Sequence, residues 1–184
     1  SSIKKVGLWL VLTLGSTTMF AQTLAFSDLA DFSQNLIVND SVMGGVSQSQ
    51  LQAEDDYRRF SGNLSLENNG GFASVRFLLA EPLLPANKVS IRVKGDGREY
   101  QLRIRMAGSW QAIGYAVSFQ TSKDQWQQFD FSVEDFKPVW RGRSLTNVPA
   151  LNLAYAQVVS VFLADKQPGE FTLLLDTLTV THAS

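Results

Sequence analysis

Cysteine is absent from the 184-residue sequence. Without thiols the chain can form no disulfide, thiolate zinc site, iron–sulfur cluster or cysteine nucleophile. Histidine occurs once, as His182 near the C-terminal end, where we expect no catalytic triad to be assembled. These absences argue against most familiar enzyme chemistries, so we expect a protein that is not an enzyme and uses no cofactor.

An excess of either charge sign is also lacking. The sequence has 16 Lys and Arg against 17 Asp and Glu, so binding to nucleic acid through bulk positive charge is not expected. What is present is apolar: 45% of the residues are hydrophobic and 11% are aromatic. A chain of this length and composition predicts one ordered domain with a real core.

The first 21 residues have the layout of a secretory signal. Lys4 and Lys5 precede the apolar run 6–14, and the small residue Ala21 stands at the expected cleavage site. We therefore predict a signal peptide over residues 1–21, one domain over residues 22–184, and a periplasmic or secreted location without stable membrane insertion. The alternative, in which this segment is a core strand or an uncleaved anchor, stays open.

Apolar and polar residues alternate in many short segments of the remaining chain. In segment 100–106 the even-numbered residues are apolar and the odd-numbered ones are polar, and segments 89–93, 113–119 and 129–133 repeat this period. A period of two is typical of half-buried antiparallel strands. About nine or ten such strands predict an all-β sandwich of two sheets. Segment 158–164 is apolar on both faces, which predicts a central strand.

Turn residues separate these segments. Gly-Asp-Gly at 95–97 predicts a hairpin loop between 89–94 and 98–106. Asn-Asn-Gly-Gly at 68–71 predicts a tight reversal that needs positive φ angles.

Three further features concern irregular positions. The apolar parity changes near Asp176 and Thr177, which predicts a β-bulge there. Helical periodicity is limited to a turn or two at 24–32. Segment 137–157 is the longest without a clear strand, and we expect a long loop, a kind of segment that often carries function.

A distinctive string, NDSVMGGVS, occupies residues 39–47. With seven further segments in the same order, it resembles the signature of the complex I intermediate-associated protein 30 family. Those segments are FSGNLSL (60–66), NGGFASVR (69–76), GDGREY (95–100), WQ (126–127), FKP (136–138), RGR (141–143) and ADKQPGEF (164–171). The match runs from about residue 31 to the end of the sequence.

The resemblance implies a galactose-binding-like jelly-roll β-sandwich, which agrees with the alternation. Family members in mitochondria act as assembly factors for NADH:ubiquinone oxidoreductase and hold folding intermediates rather than turning over a substrate. Sandwiches of this type also serve as carbohydrate-binding modules. Two functions therefore remain: an assembly-factor or chaperone-like protein that binds a partner protein, and a periplasmic or secreted module that binds a carbohydrate or small ligand.

Candidate binding positions come from the family-like segments and from two tryptophans whose flat rings could stack on sugars. A structural role is the alternative for each, such as an Asp-capped turn around the paired glycines. The candidates are Asp40, Met43, Gly44, Gly45, Ser47, Arg76, Trp110, Trp140, Arg141, Arg143 and Asp165.

Four arginines fall opposite the apolar positions of their strands. If the strands are neighbours, their guanidinium groups line one sheet face that could bind carboxylates, acidic sugars or an acidic partner. The alternative is a solvated face neutralised by nearby acids. The arginines are Arg76, Arg92, Arg103 and Arg105, and the acids are Glu99, Asp130 and Glu134.

We further hypothesise that Asp40, Arg76, Arg141 and Asp165 converge with the loop 43–45 into one polar patch, in which a carboxylate orients an arginine. The alternative is that these charges form structural ion pairs. The acids around residue 165 lack the spacing of a calcium loop, so no metal site is predicted.

Overall fold

Two antiparallel β-sheets form a sandwich in the computed structural model, which describes residues 9–14, 17–29, 36–39, 45, 47–108 and 112–182. The first sheet contains β1 (Trp9–Leu14), β2 (Thr17–Ala25), β4 (Gln48–Ala53), β5 (Arg58–Leu64), β7 (Lys88–Lys94), β10 (Trp126–Ser132) and β14 (Gly169–His182). The second contains β3 (Leu36–Asn39), β6 (Ala73–Leu78), β8 (Glu99–Met106), β9 (Gly114–Gln120), β11 (Lys137–Trp140), β12 (Arg143–Ser144) and β13 (Ala156–Leu163). The predicted all-β sandwich is confirmed.

Strand β14 organises the first sheet. It pairs with β5 along its first half, with β2 along its second half, and with β7 on its other side. The register with β7 shifts between Leu175 and Thr177, which confirms the predicted bulge. Because of this shift, Leu175 and Leu178 both face the core although they are three residues apart.

Strand β13 lies at the centre of the second sheet, between β8 and β6. Val159 and Val161 are fully buried against the first sheet. Phe162 points the other way and is covered by the ring of Phe72. The predicted central strand with two covered faces is therefore confirmed.

Aromatic rings fill much of the space between the sheets. Phe26 packs edge-on against Phe77, and Phe60 packs edge-on against Phe171, both with ring centroids 5.1 Å apart. Such pairs stabilise beyond the area they bury. Phe26 belongs to the short helix and Phe77 to the second sheet, so their contact fixes the helix on that sheet. Phe60 and Phe171 lie on neighbouring strands of the first sheet, and their contact strengthens the core face of that sheet.

The hairpin predicted at 95–97 is wrong, and the turn at 68–71 does not join paired strands either. β7 and β5 belong to the first sheet, whereas β8 and β6, which follow them, belong to the second. Segments 95–97 and 68–71 therefore cross the sandwich. The predicted positive φ angles are present, at 54° for Asn68, 57° for Asn69 and 129° for Gly71. Alternating strands and a glycine turn look the same in sequence whether the next strand pairs with the previous one or faces it across the core.

Segment 137–157 is not the long loop that the sequence predicts. It contains β11, β12 and a single 3-10 turn, Leu153–Tyr155. β11 carries Pro138 and pairs with β9 over three residues only, so its alternation is too short to see in the sequence.

Helical structure is limited. The helix α1 (Phe26–Leu29) is one turn long and agrees with the turn predicted at 24–32. Within the described ranges, no helix has the length and apolar character needed to cross a membrane.

The segment predicted as a signal includes residues of two strands. β1 pairs with β2, and β2 pairs with β14 from Phe20 to Ala25. Gln22, the predicted first residue after cleavage, accepts a hydrogen bond from the backbone of Leu84 at 2.9 Å. Cleavage before Gln22 would keep the pairing of residues 22–25 with β14, and it stays a prediction.

Gly95 is the position in the crossing where a side chain has no room. A Cβ built there would lie 2.3 Å from Cβ of Thr121, and Thr121 is fixed because its hydroxyl accepts from Gly97 N and donates to Arg98 O. We expect Gly95→Ala to lower the free energy of unfolding by about 1–3 kcal/mol through overpacking. Urea denaturation measures this change.

The matched control is Gly114→Ala. A Cβ at Gly114 would make ordinary contacts of 3.7 Å, so its stability should stay near that of the parent. Equal stability of the two variants would show that the crossing is not tightly packed.

Candidate functional site

Three arginines lie together on the outer face of the second sheet. Arg76 on β6 is in register with Ser160 on β13, and Ser160 is in register with Arg103 on β8. Directly opposed residues share one face of a sheet, and Arg105 joins them two residues further along β8. The alternate residues, such as Val161, are buried in the core. We call the surface formed by Arg76, Ser160, Arg103 and Arg105 the arginine face.

Arg103 is held in a defined orientation. Its Nε and Nη2 donate to Oε1 of Gln101 at 3.0 and 2.7 Å. Its guanidinium carbon lies 3.9 Å from the ring centroid of Phe162, and a cation over an aromatic ring is attracted to it. Phe162 stacks in turn on Phe72. The ring that contacts the arginine is therefore itself held in place by a second ring.

No carboxylate pairs with these arginines in the described part of the chain. The ion pairs found there are Arg59 with Glu54, Arg92 with Asp176 and Arg98 with Asp165. Nε of Arg76 and Oγ of Ser160 are buried and have no hydrogen-bond partner among the described residues. Buried polar atoms without a partner are uncommon and costly, so these two atoms set the face apart from an ordinary solvated surface.

The acids expected to neutralise the arginines form no ion pair with them among the described residues. Asp130 is on β10 in the first sheet, where it accepts a hydrogen bond from Ser90. Glu134 lies in the 3-10 turn after β10. Glu99 begins β8 and forms no ion pair with any described residue. The neutralised alternative is therefore not the arrangement that the fold produces.

Burial and mutual repulsion disfavour the charges in the free protein. Burial, together with the neighbouring charges of Arg105 and Arg76, lowers the pKa of Arg103 to about 10. Burial, followed by the charge of Arg76, also lowers the pKa of Arg105. A nearby anion would act in the opposite direction, because an opposite charge favours the charged form.

Small and apolar side chains border the arginines. Ala116 on β9 is in register with Arg103, and Gly114 leaves Cδ of Arg103 without a side chain in front of it. Val158 is in register with both Leu78 and Arg105, and both apolar side chains are half-buried. The arginine face thus combines positive charge, which has no acid partner among the described residues, with a border of partly exposed apolar side chains.

Arg92 does not join the arginine face. It lies on β7 in the first sheet, where Nη1 is 2.6 Å from Oδ2 of Asp176. Its guanidinium carbon is 4.5 Å from the ring centroid of Trp126. Trp126 begins β10 and is only partly buried.

Asp165 pairs with Arg98 instead of approaching Arg76. Nε and Nη2 of Arg98 donate to the two carboxylate oxygens at 2.9 and 2.7 Å. The remaining N–H groups donate to carbonyl oxygens of residues 167, 169 and 170. The two side chains are only 11% and 6% exposed. Burial opposes the charge of Arg98, but the hydrogen bonds and charge of Asp165 outweigh it, and the pKa of Arg98 is raised.

Asp96 extends this ion pair into a network. Its carboxylate accepts from the backbone N–H of Arg98 at 3.1 Å and of Thr172 at 2.8 Å. It also accepts from the hydroxyl of Tyr100, which is fully buried. Burial, together with the charge of Asp96, raises the pKa of Tyr100, so the phenol stays protonated and donates. We call Asp96, Arg98 and Asp165 the inter-sheet clamp, because it joins β8 to β14.

Trp140, Arg141 and Arg143 lie at the hairpin between β11 and β12, at an edge of the second sheet. Trp140 is 41% exposed, and the guanidinium carbon of Arg141 lies 4.9 Å from its ring centroid. Lys137 is in register with the arginine face through Ala116. Trp140 is three residues further along, so it has the opposite parity and does not extend that face.

Ser47 has structural contacts. Its hydroxyl donates to the carbonyl of Ser65 at 3.2 Å and accepts from the N–H of Ser65 at 2.9 Å. Gly45 is also buried. The remaining candidates Asp40, Met43, Gly44 and Trp110 lie outside the described residues, so the predicted convergence of Asp40 with Arg76 stays a prediction.

The sequence analysis did not single out Ser160, Gln101 or Phe162. The sequence did contain an indication that Ser160 is unusual, because it is the one polar residue within the apolar segment 158–164. The roles of Gln101 and Phe162 depend on which strands are neighbours, which the alternation does not reveal.

Side chains that could bind a metal ion are not clustered within the described residues. Across the described ranges, no three His, Asp or Glu side chains cluster as a metal site requires. Donors on the arginine face are suited to an anion instead.

One known protein family matches most of this chain. The family model described as complex I intermediate-associated protein 30 matches residues 24–175. The chain belongs to this family. No curated protein matches the sequence.

Solved structures similar to this family member share its fold at low identity. A family 11 carbohydrate-binding module from Clostridium thermocellum, in complex with a β-1,3-1,4-mixed-linked tetrasaccharide, has a TM-score of 0.64 and 12% identity, over 85% of this chain and 94% of that one. The xylan-binding module CBM86 from Roseburia intestinalis has a TM-score of 0.52 and 12% identity, over 89% and 96%. An agarase has a TM-score of 0.57 and 11% identity, over 85% of this chain and 24% of that one. The fold is thus a galactose-binding-like jelly roll.

Two family-like segments now have a structural explanation. Segment 95–100 supplies Asp96 and Arg98, and segment 164–171 supplies Asp165. In this family member the two segments meet in the inter-sheet clamp. Their residues therefore stabilise the sandwich, whereas Arg76 of segment 69–76 lies on the arginine face.

We expect Asp165→Asn to lower the free energy of unfolding by about 3–5 kcal/mol, because it leaves the buried Arg98 without its carboxylate. The matched control is Asp176→Asn. Its partner Arg92 has a side chain that is 43% exposed, so the loss should stay below about 1 kcal/mol. Chemical denaturation of the two variants gives the comparison, and similar losses would contradict a structural role for the clamp.

Repulsion on the arginine face leads to a second stability prediction. We expect Arg105→Gln to raise the melting temperature by about 1–4 °C, since relieving a repulsion on the order of 1 kcal/mol shifts a domain of this size by that amount. Arg59→Gln is the control, because Arg59 is paired with Glu54 and should not gain stability. A lower melting temperature for Arg105→Gln would mean that the charge is compensated.

Proposed function

We propose that this protein is a non-catalytic binding domain that captures a partner protein by docking an acidic segment of that partner on the arginine face. The observation that carries the proposal is the group of three arginines, which have no carboxylate partner among the described residues. A surface that only needed to be soluble would place acids among them. Positive charge without an acid partner in the described part of the chain lowers the stability of the fold, and it is characteristic of a site that receives an anion.

The margin of the face supports a protein partner. Leu78 and Val158 are half-buried apolar side chains on the same face as Arg105. Acidic side chains interspersed with apolar ones would match this surface in charge and in polarity.

The family supports the same role. Its described function, association with complex I intermediates, is one of holding a partner protein. The predicted signal over residues 1–21 leads us to propose a periplasmic or secreted location, where the partner would be an envelope protein or an assembly intermediate of a membrane complex.

Binding of a carbohydrate is the second candidate. The fold is shared with modules whose names state binding of a mixed-linked glucan or of xylan. Arginine donors and the exposed ring of Trp140 are groups that could hold an acidic sugar. The partly apolar margin of the arginine face favours the protein partner over this alternative.

The experiment is a cross-linked pull-down with tagged protein from its own envelope fraction, followed by mass spectrometry of the cross-linked peptides. We expect acidic peptides to be captured, at a level that falls with ionic strength because the contact is electrostatic. The double variant Arg76→Gln/Arg103→Gln should lose capture.

Arg92→Gln is the control, since it removes an arginine from the other sheet and should keep capture. Captured peptides that are not acidic, or capture that survives in the double variant, would overturn the proposal. Selective retention by an acidic polysaccharide instead of a protein would support the second candidate.

A further inference from the structure

We propose that the arginine face contains a carboxylate-binding site formed by Arg76, Ser160 and Arg103. This inference rests on the proposed function, because it names the chemical group by which an acidic partner would be recognised.

The donors come from three adjacent strands. Ser160 stands between Arg76 and Arg103 in one cross-strand row. Opposed side chains in such a row have Cβ atoms about 4.5–5.5 Å apart, so the three side chains can reach one small group. Nε of Arg76 and the hydroxyl of Ser160 have no acceptor among the described residues, although Ser160 is only 1% exposed.

Arg103 is oriented to contribute further N–H groups. The bonds to Gln101 use Nε and one N–H of Nη2. The end of the guanidinium group, with Nη1 and the second N–H of Nη2, has no partner in the described part of the chain. Since the guanidinium plane is fixed over the ring of Phe162, this end is pre-organised to donate.

The charge selects an anion. Arg105 lies on the same face and adds a third positive charge near the row, and no described acid pairs with any of the three. A bound anion would relieve their repulsion. Binding requires only the guanidinium group of Arg76 to turn toward the ligand, and its long side chain permits this.

The position of the site in a sheet favours a carboxylate over a phosphate or a sulfate. Tetrahedral oxyanions are commonly held by free backbone N–H groups in loops or at helix N-termini. The N–H groups of β13 are engaged in ladders with β6 and β8 on both sides, so only side chains can donate. Planar guanidinium groups match the two oxygens of a carboxylate by paired hydrogen bonds.

The test uses small probes, added at matched ionic strength and followed by NMR of the arginine Nε–Hε signals and by the melting temperature. Glutarate and galacturonate should shift the signals of Arg76 and Arg103 and raise the melting temperature. Galactose, which is the neutral counterpart of galacturonate, should do neither. Sulfate and phosphate should act more weakly than glutarate. Equal shifts from all anions would overturn the assignment to carboxylates.

The substitution Ser160→Ala tests the proposed site most directly. It removes a hydroxyl that has no partner among the described residues, so the fold should keep its stability, whereas Kd for glutarate should rise by about tenfold, the value of one hydrogen bond to a charged group. Ser90→Ala, on the first sheet, is the control and should leave Kd unchanged. An unchanged Kd in Ser160→Ala would remove this residue from the site and overturn the proposed arrangement.

The outcomes separate this inference from the proposed function. Glutarate binding at Arg76 without capture of an acidic protein would support the site and overturn the protein partner. Capture that depends on the arginines but is insensitive to glutarate and to Ser160→Ala would support the partner and overturn the site. Tighter binding of acidic peptides than of galacturonate would identify the source of the carboxylate as a protein.

Discussion

The buried ion pair between Arg98 and Asp165 is the contact on which the rest of the sandwich depends. It lies where the chain crosses from β7 to β8 and where β13 turns into β14. Both crossings lead from one sheet to the other, and the ion pair fixes one crossing against the other. Asp96 completes the connection by accepting from the backbone of β14 at Thr172. Every hydrogen bond in this network has a charged member, which makes it strong and costly to break.

The arginines of this protein lie in two opposite kinds of electrostatic environment. Arg98 is paired, fully hydrogen-bonded and raised in pKa. Arg103 is lowered in pKa by burial and by its neighbours, and it has no acid beside it among the described residues. The first arrangement stabilises the fold, and the second lowers its stability. The two arrangements differ in one further respect: polar groups of the clamp have hydrogen-bond partners, whereas Nε of Arg76 and Oγ of Ser160 on the arginine face lack them among the described residues. A loss of stability confined to one such surface is typical of a functional site.

This contrast also separates the family-like segments by role. Segments 95–100 and 164–171 form the clamp, and Ser47 at the end of segment 39–47 is tied to the backbone of Ser65. Arg76 is different, because its Nε has no partner among the described residues. A family signature can therefore contain both residues that hold a jelly roll together and residues that face a ligand. Only their contacts distinguish the two.

The sequence by itself determined the all-β class and many of the strands, although it did not indicate the short β11 and β12. Alternation with a period of two placed those strands, the parity change at Asp176 placed the bulge, and the apolar segment 158–164 identified a central strand, because these patterns record which side of each strand is buried. Tertiary structure decided the neighbours. It turned the expected hairpin at 95–97 into a crossing, paired Asp165 with Arg98, and brought Arg76 and Arg103 to either side of Ser160. Alternation assigns a side chain to a face but carries no information on which strand lies beside it, and a binding site on a sheet is made by that adjacency.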